Sequence, residues 1–241
     1  MTITCWVLTD GKTGCRRQAM GLAKALPWQW SEKIACRRRP FYWLPASWHG
    51  GSLQQLSAHS DALQAPWPNW VISCGFRAVP ISLAIKAASH GHTRLIHVQN
   101  PRINLSHFDW VVAAQHDHLT GPNVLTHLGA LHDLHPDELS SQTPANEYPH
   151  TLAVVVGGDT KHQRLSDRAI TTFTQTLGEI AHHWPGQCRW VTSRRTPLKL
   201  VQNIQQLATH TSGQWVSPEQ PDGYRDALRA ASTIMVTNDS S

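Results

Sequence analysis

Two loops in the second half of the chain carry residue types that grip phosphate. Gly157-Gly158-Asp159-Thr160-Lys161 follows a strongly apolar run, and a diglycine there would let backbone amides approach an anion closely. Thr192-Ser193-Arg194-Arg195-Thr196 sets two guanidinium groups beside hydroxyls, just ahead of a helical pattern. Guanidinium pairs bidentately with phosphate oxygens, so this stretch suits a diphosphate. Each loop alone also reads as an ordinary turn. Two of them on neighbouring strands of one sheet point to a shared anion pocket. In the first half, Thr9-Asp10-Gly11-Lys12-Thr13-Gly14 ends the first strand, and its glycines permit a tight turn whose amides would cradle an anion or an acceptor group. The GxxxxGK[ST] spacing of a P-loop is absent, and a tight turn without a ligand is the competing reading. Gln99-Asn100-Pro101-Arg102 and Gln115-His116-Asp117 close two further strands. His116 beside Asp117 is the most plausible acid/base couple, because histidine titrates near neutrality and a carboxylate raises its basicity. A surface histidine in a histidine-rich chain is the bland alternative.

These loops need a scaffold, and the apolar pattern supplies one. Ile3–Leu8, Trp70–Ser73, Arg94–Val98 and Asp109–Ala113 read as strands, with helices over Gly14–Leu26 and about Pro80–Ala88. From about Asp133 to His150 the apolar pattern lapses and reads as an interdomain linker. The alternation restarts at Leu152–Val156, a near-continuous apolar run of the kind a central parallel strand needs. A helix over Ser166–His182, a strand over Arg189–Thr192, a helix over Leu198–Thr209 and a strand over Ile234–Thr237 follow. Alternating strands and helices imply βαβ crossovers. The expected fold is therefore α/β, with two Rossmann-like domains around a cleft: an acceptor-side domain over 1–140 and a nucleotide-side domain over 150–241. The chain stops directly after a strand, so the second domain is expected to be incomplete, with an apolar face exposed.

The 241 residues include no apolar run long enough to span a bilayer, and the N-terminus reads as a first strand rather than a secretory signal. Five dispersed cysteines without a CxxC pair argue against a disulfide framework and a zinc site, and fit a reducing cytoplasmic setting. Sixteen histidines show no HExxH, so no metal is expected. The net charge is +5 and uneven: residues 1–40 hold eight Lys and Arg against Asp10 and Glu32. That excess favours anionic partners, although a merely solvated face gives the same count. Within it, Cys36-Arg37-Arg38-Arg39-Pro40-Phe41-Tyr42-Trp43-Leu44-Pro45 mixes arginines, aromatics and prolines as an interfacial contact with an anionic membrane would. The same mix can stack on single-stranded nucleic acid, and a packed, proline-stiffened loop is equally consistent.

Several stretches together resemble the mitochondrial fission, or "elongated mitochondria", family, whose bacterial members are regarded as glycosyltransferase candidates. In the first half these are Asp10-Gly11-Lys12-x-Gly14, His97 to Arg102, Phe108-Asp109 through His116-Asp117, and Gly121-Pro122-Asn123-Val124-Leu125. In the second they are Gly157-Gly158, Thr192 to Pro197, and Val236-Thr237-x-Asp239-Ser240. The resemblance implies a GT-B-like architecture. A nucleotide-diphosphate sugar would be held near Gly157, Gly158, Thr192, Ser193, Arg194, Arg195, Asp239 and Ser240. A lipid-linked or free glycan acceptor would lie near Gly11, Lys12, Gly14, Gln99 and Asn100. The base would be His116, Asp117 or Asp10, with no resident cofactor or metal and no nucleic-acid partner. The sequence departs from the family's pattern at Cys15, where many relatives have a polar residue, and after Ser240, where the pattern continues through further βα units that help grip a donor. Two other functions compete. Plant relatives are associated with recruiting a dynamin-like protein in mitochondrial fission, which would make this chain a non-enzymatic adaptor. A nucleotide-sugar epimerase is weaker, since GxGxxG and Tyr-x-x-x-Lys are missing.

Overall fold

A computed structural model describes residues 2–50, 52–129, 131–133, 150–160, 164–211, 213–220 and 222–237. The chain divides into two compact units, Met1–Leu134 and His135–Ser241. The expected linker lies almost wholly outside the described residues, as do Lys161, Asn238, Asp239, Ser240 and Ser241.

The first unit is a six-stranded sheet: β1 (Thr4–Thr9), β2 (Gln29–Ile34), β3 (Trp70–Cys74), β4 (Arg94–Val98), β5 (Trp110–Ala114) and β6 (Val124–His127). The strands lie in the order β2-β1-β3-β4-β5-β6 and every pair is parallel. Side chains alternate across the pleat. Cys5, Val7, Ile72, Cys74, Ile96 and Val98 pack toward helix α1 (Thr13–Lys24), which contributes Ala19 and Ala23. Leu8, Val71, Leu95, Val111 and Ala113 face α2 (Val79–Ala88), which contributes Val79, Ile81 and Ile85. Both faces are covered, so the central strands read as unbroken apolar runs.

The second unit holds β7 (Leu152–Val156), β8 (Cys188–Thr192), β9 (Gly213–Val216) and β10 (Thr233–Val236), in the order β10-β7-β8-β9 and again all parallel. Helices α3 (Asp167–His183) and α4 (Leu198–His210) cover one face, around the fully buried Trp190, Leu200 and Ile204. Each such apolar side chain contributes roughly 1.5–3 kcal/mol on leaving water. Helix α5 (Gly223–Ala230) covers part of the other face over Val191 and Val216. Beyond it, at the sheet edge, Ile234 and Val236 are exposed. The start of α3 is fixed locally: Ser166 precedes it, and its hydroxyl accepts the amide of Ala169 at 3.2 Å.

The strands, helices and parallel register agree with the expected α/β class. Short edge elements were not anticipated: β2, β6, β9 and α5 are absent from the sequence reading. No helix among the described residues is long and apolar enough to cross a membrane.

Candidate functional site

In an open parallel sheet, ligands bind beyond the carboxyl ends of the strands where the strand order reverses. In the first unit that point lies between β1 and β3, so the loops after Thr9 and Cys74 should form the site. Asp10 sits there with its side chain only 6% exposed, Lys12 Nζ 3.2 Å from its Oδ2 and an Arg77 guanidinium nitrogen at 3.6 Å. The Lys12 amide donates to Asp10 Oδ1 at 3.3 Å, and the Gly11 amide to Thr9 Oγ1 at 3.2 Å. Asp10 is thus clamped between two cations by a turn built on its own backbone. Gly14 lies in the first turn of α1, where an added Cβ would meet open space. Beside this turn is a hollow lined by Cys36, Arg37, Tyr42, Leu44, Phe76 and Arg77. The Arg77 guanidinium lies 4.0 Å from the Tyr42 ring centroid.

Two thiols border the same point. Cys15, in the first turn of α1, takes a hydrogen bond from the Cys74 thiol, which lowers its pKa to about 7. The same bond and burial push Cys74 up. Gly75 lies against Cys15: its φ is +82°, and a Cβ there would lie 2.9 Å from Cys15 Sγ, so glycine is required twice over. Behind the site, Ser73 Oγ lies 2.8 Å from Nδ1 of the fully buried His97. Burial lowers the His97 pKa to about 3, and its Nε2 has no partner among the described residues.

The remaining first-half candidates stand apart. Gln99 donates from its side chain to Gln18 at 3.2 Å, and Asn100 Oδ1 accepts the Arg102 amide at 2.8 Å, closing its own loop. His116 and Asp117 form a single turn after β5, His116 exposed and Asp117 half-buried. Three strand spacings separate β5 from β1, about 14 Å. Among the described residues no hydrogen bond or ion pair joins His116 to Asp117 or either to Asp10.

In the second unit the order reverses between β7 and β10. The loops after β7 and β8, on the other side of β7 from that point, are the ones that meet: Gly157, Gly158, Ser193 and Arg195 come together there. The buried Thr196 is the hub: its hydroxyl donates to the Gly157 carbonyl at 2.6 Å and accepts the Ser193 amide at 2.9 Å. The Asp159 amide donates to the Arg195 carbonyl at 3.0 Å, and the Gly157 amide to Thr237 Oγ1 at 2.8 Å. Thr192 Oγ1 accepts the Trp215 indole N–H at 3.2 Å. A Cβ on Gly158 would run into the Arg195 carbonyl. The diglycine therefore admits the neighbouring loop's backbone, which is a different reason for glycine from the close approach of a phosphate. Arg194 and Arg195 turn outward and are exposed just before the uncapped N-terminus of α4. No carboxylate pairs with Arg194 among the described residues. The positions Asp239 and Ser240 lie outside the described residues.

Arg77 escaped the sequence reading. It lies 67 positions from Asp10 (77 minus 10), and only the adjacency of β1 and β3 brings the two together.

Two Rossmann-like α/β units with polar loops at the carboxyl ends of their strands define a GT-B-like fold. The chain belongs to the family described as "Mitochondrial fission ELM1", whose model matches residues 13–241. It is 24% identical to an uncharacterised protein, RP120, of Rickettsia prowazekii, over 98% of this chain and 77% of that one. Among solved structures, the S. aureus MnaA–UDP co-structure superposes with a TM-score of 0.50 at 9% identity, covering 99% of this chain and 75% of MnaA. The UDP-GlcNAc 2-epimerase of Neisseria meningitidis bound to UDP-GlcNAc is more distant in shape, with a TM-score of 0.47, 12% identity, and coverage of 99% and 78%.

Proposed function

We propose that this chain transfers a glycosyl group from a nucleotide-diphosphate sugar to an acceptor hydroxyl. The C1–O bond to the diphosphate breaks, a new C1–O bond to the acceptor forms, and the hydroxyl proton passes to a carboxylate. Arg194 and Arg195, with the open amides at the start of α4, neutralise the departing diphosphate. They act where a divalent cation would serve in a metal-dependent transferase. Asp10 is the preferred base: its side chain is mostly covered at the β1/β3 switch point, and Lys12 and Arg77, the latter lining the neighbouring hollow, hold it in place. A lipid-linked or free glycan acceptor, presented at the cytoplasmic face of a membrane, fits the basic and aromatic rim of that hollow.

One observation carries the reading. At the carboxyl ends of the neighbouring strands β7 and β8, two loops are braced on each other through Thr196, and the braced loop presents Arg194 to solvent without an acid partner among the described residues. That MnaA, which shares this fold, was solved with UDP supports a nucleotide ligand. Calorimetric titration of the full chain with UDP, GDP, ADP and TDP tests it. One of these is expected to bind, and Arg194→Ala to weaken binding about tenfold to a hundredfold, the effect of one charged hydrogen bond. Binding of none of the four defeats the proposal.

A further inference from the structure

Arginines on the two ends of the first unit are partnered differently. At the amino ends of the strands, Arg94 donates to Asp109 at 3.0 Å and Lys86 lies 3.2 Å from the same carboxylate. At the carboxyl ends, Arg38, Arg39 and Arg102 lie on rings alone, whereas Arg94 has the Trp70 ring, 4.5 Å from its guanidinium, in addition to its carboxylate. Arg39 sits 5.2 Å from the Trp43 ring centroid and Arg38 5.9 Å from Phe41. Arg77 approaches both Tyr42 and Phe76, and Arg102 lies 5.7 Å from Phe76. Among the described residues no carboxylate pairs with Arg38, Arg39 or Arg102. Asp10, the acid beside Arg77, is already held by Lys12 and Arg77.

The ridge is stiff and apolar at its crest. Arg37 is buried, and its guanidinium donates to the carbonyls of Leu44 at 2.8 Å and Trp48 at 2.9 Å, closing the loop over 37–48 into a platform. From it Trp43 and Trp48 project, 66% and 62% exposed, and Phe76, on the loop after β3, is exposed as well. Large exposed aromatics on and near a basic segment suit a contact surface.

We propose that this ridge docks on an anionic lipid bilayer, with Trp43, Trp48 and Phe76 seated at headgroup depth and Arg38, Arg39 and Arg102 on lipid phosphates. Indole rings favour the interface, and basic side chains there add attraction to anionic lipid. Charge complementarity alone would also admit single-stranded nucleic acid. Base stacking, however, needs open ring faces, and guanidinium groups already lie over Trp43, Tyr42 and Phe76. Shallow insertion needs only edges and exposed area. The docking is independent of sugar transfer and is read without any nucleotide, so the two proposals fail separately.

The test is co-sedimentation of the full chain with vesicles of phosphatidylcholine alone and of phosphatidylcholine with phosphatidylglycerol. Binding to the anionic vesicles only, weakening as salt rises, is expected. Arg39→Ala and Arg102→Ala should each reduce partitioning about fivefold, the equivalent of ~1 kcal/mol per basic residue at such a surface. Trp43→Ala with Trp48→Ala should reduce it further, with an unchanged melting temperature showing that the fold is intact. Salt dependence of the unaltered chain gives a readout that needs no variant. Equal binding to both vesicle types, binding to neither, or capture by an oligothymidylate strand without vesicle binding overturns the proposal.

Discussion

The two units furnish their ligand edges in opposite ways. In the first, a carboxylate is drawn inward: Asp10 is mostly covered and held by Lys12 and Arg77, while other arginines lean on aromatic rings outside it. In the second, hydroxyls and amides turn inward to brace Gly157-Gly158 against residues 193–196, and the guanidinium groups turn outward. Both are parallel sheets with these loops at the carboxyl ends of their strands. What differs is which polar group each loop uses to hold itself together. A loop braced by neutral groups leaves Arg194 for a ligand, and a loop braced by cations shelters an acid. That contrast suits a division between the side that receives negative charge and the side that accepts a proton.

The largest effect should come from Gly158→Ala. The added methyl would meet the Arg195 carbonyl, and relieving it means separating the two loops, at a cost of about 3 kcal/mol, the upper end for overpacking. Hydrogen exchange should show protection lost across residues 152–216 and kept in β1, β3 and β4. Unchanged exchange would mean that the second unit's loops are not braced as described. A second difference is pH. Folded His97 stays neutral down to about pH 3, whereas the unfolded side chain takes up a proton near 6.5. The stabilisation is complete above 6.5 and is lost as pH falls toward 3, with a slope approaching ~1.4 kcal/mol per pH unit. Urea melts across that range should show this slope in the first unit, and His97→Gln should flatten it. The smallest effect is kinetic. Iodoacetamide should label Cys15 with a half-maximal rate near pH 7, well before Cys5, whose thiol burial pushes up to about 12. Cys74→Ala should move the Cys15 midpoint upward; no movement would show that the thiol bond does not set it.

The central strands were legible because burial on both faces leaves an unbroken apolar signature, as in Val71-Ile72 or Leu152–Val156. The edge strands were not: in β2 (Gln29–Ile34), half-exposed side chains mix Gln, Ser, Glu and Lys with one Trp and one Ile, and β9 has only four residues. The loops were legible as turns rich in Gly, Arg and Asp. Their internal logic was hidden, because Thr196 works through atoms about forty positions away, and Arg77 acquires its role only when β3 lies beside β1. Nothing local to Gly158 says that its missing side chain makes room for another loop.

The buried guanidinium of Arg37 has a consequence for how the first unit tolerates change. Its two donors are matched to carbonyls seven and eleven positions along, so the segment behaves as a loop of fixed length. Inserting or removing a residue between 38 and 47 would carry one carbonyl out of reach and strand a charge in an apolar setting. Side chains along the segment can vary while its residue count cannot, an unusual rigidity for a stretch with so little regular structure.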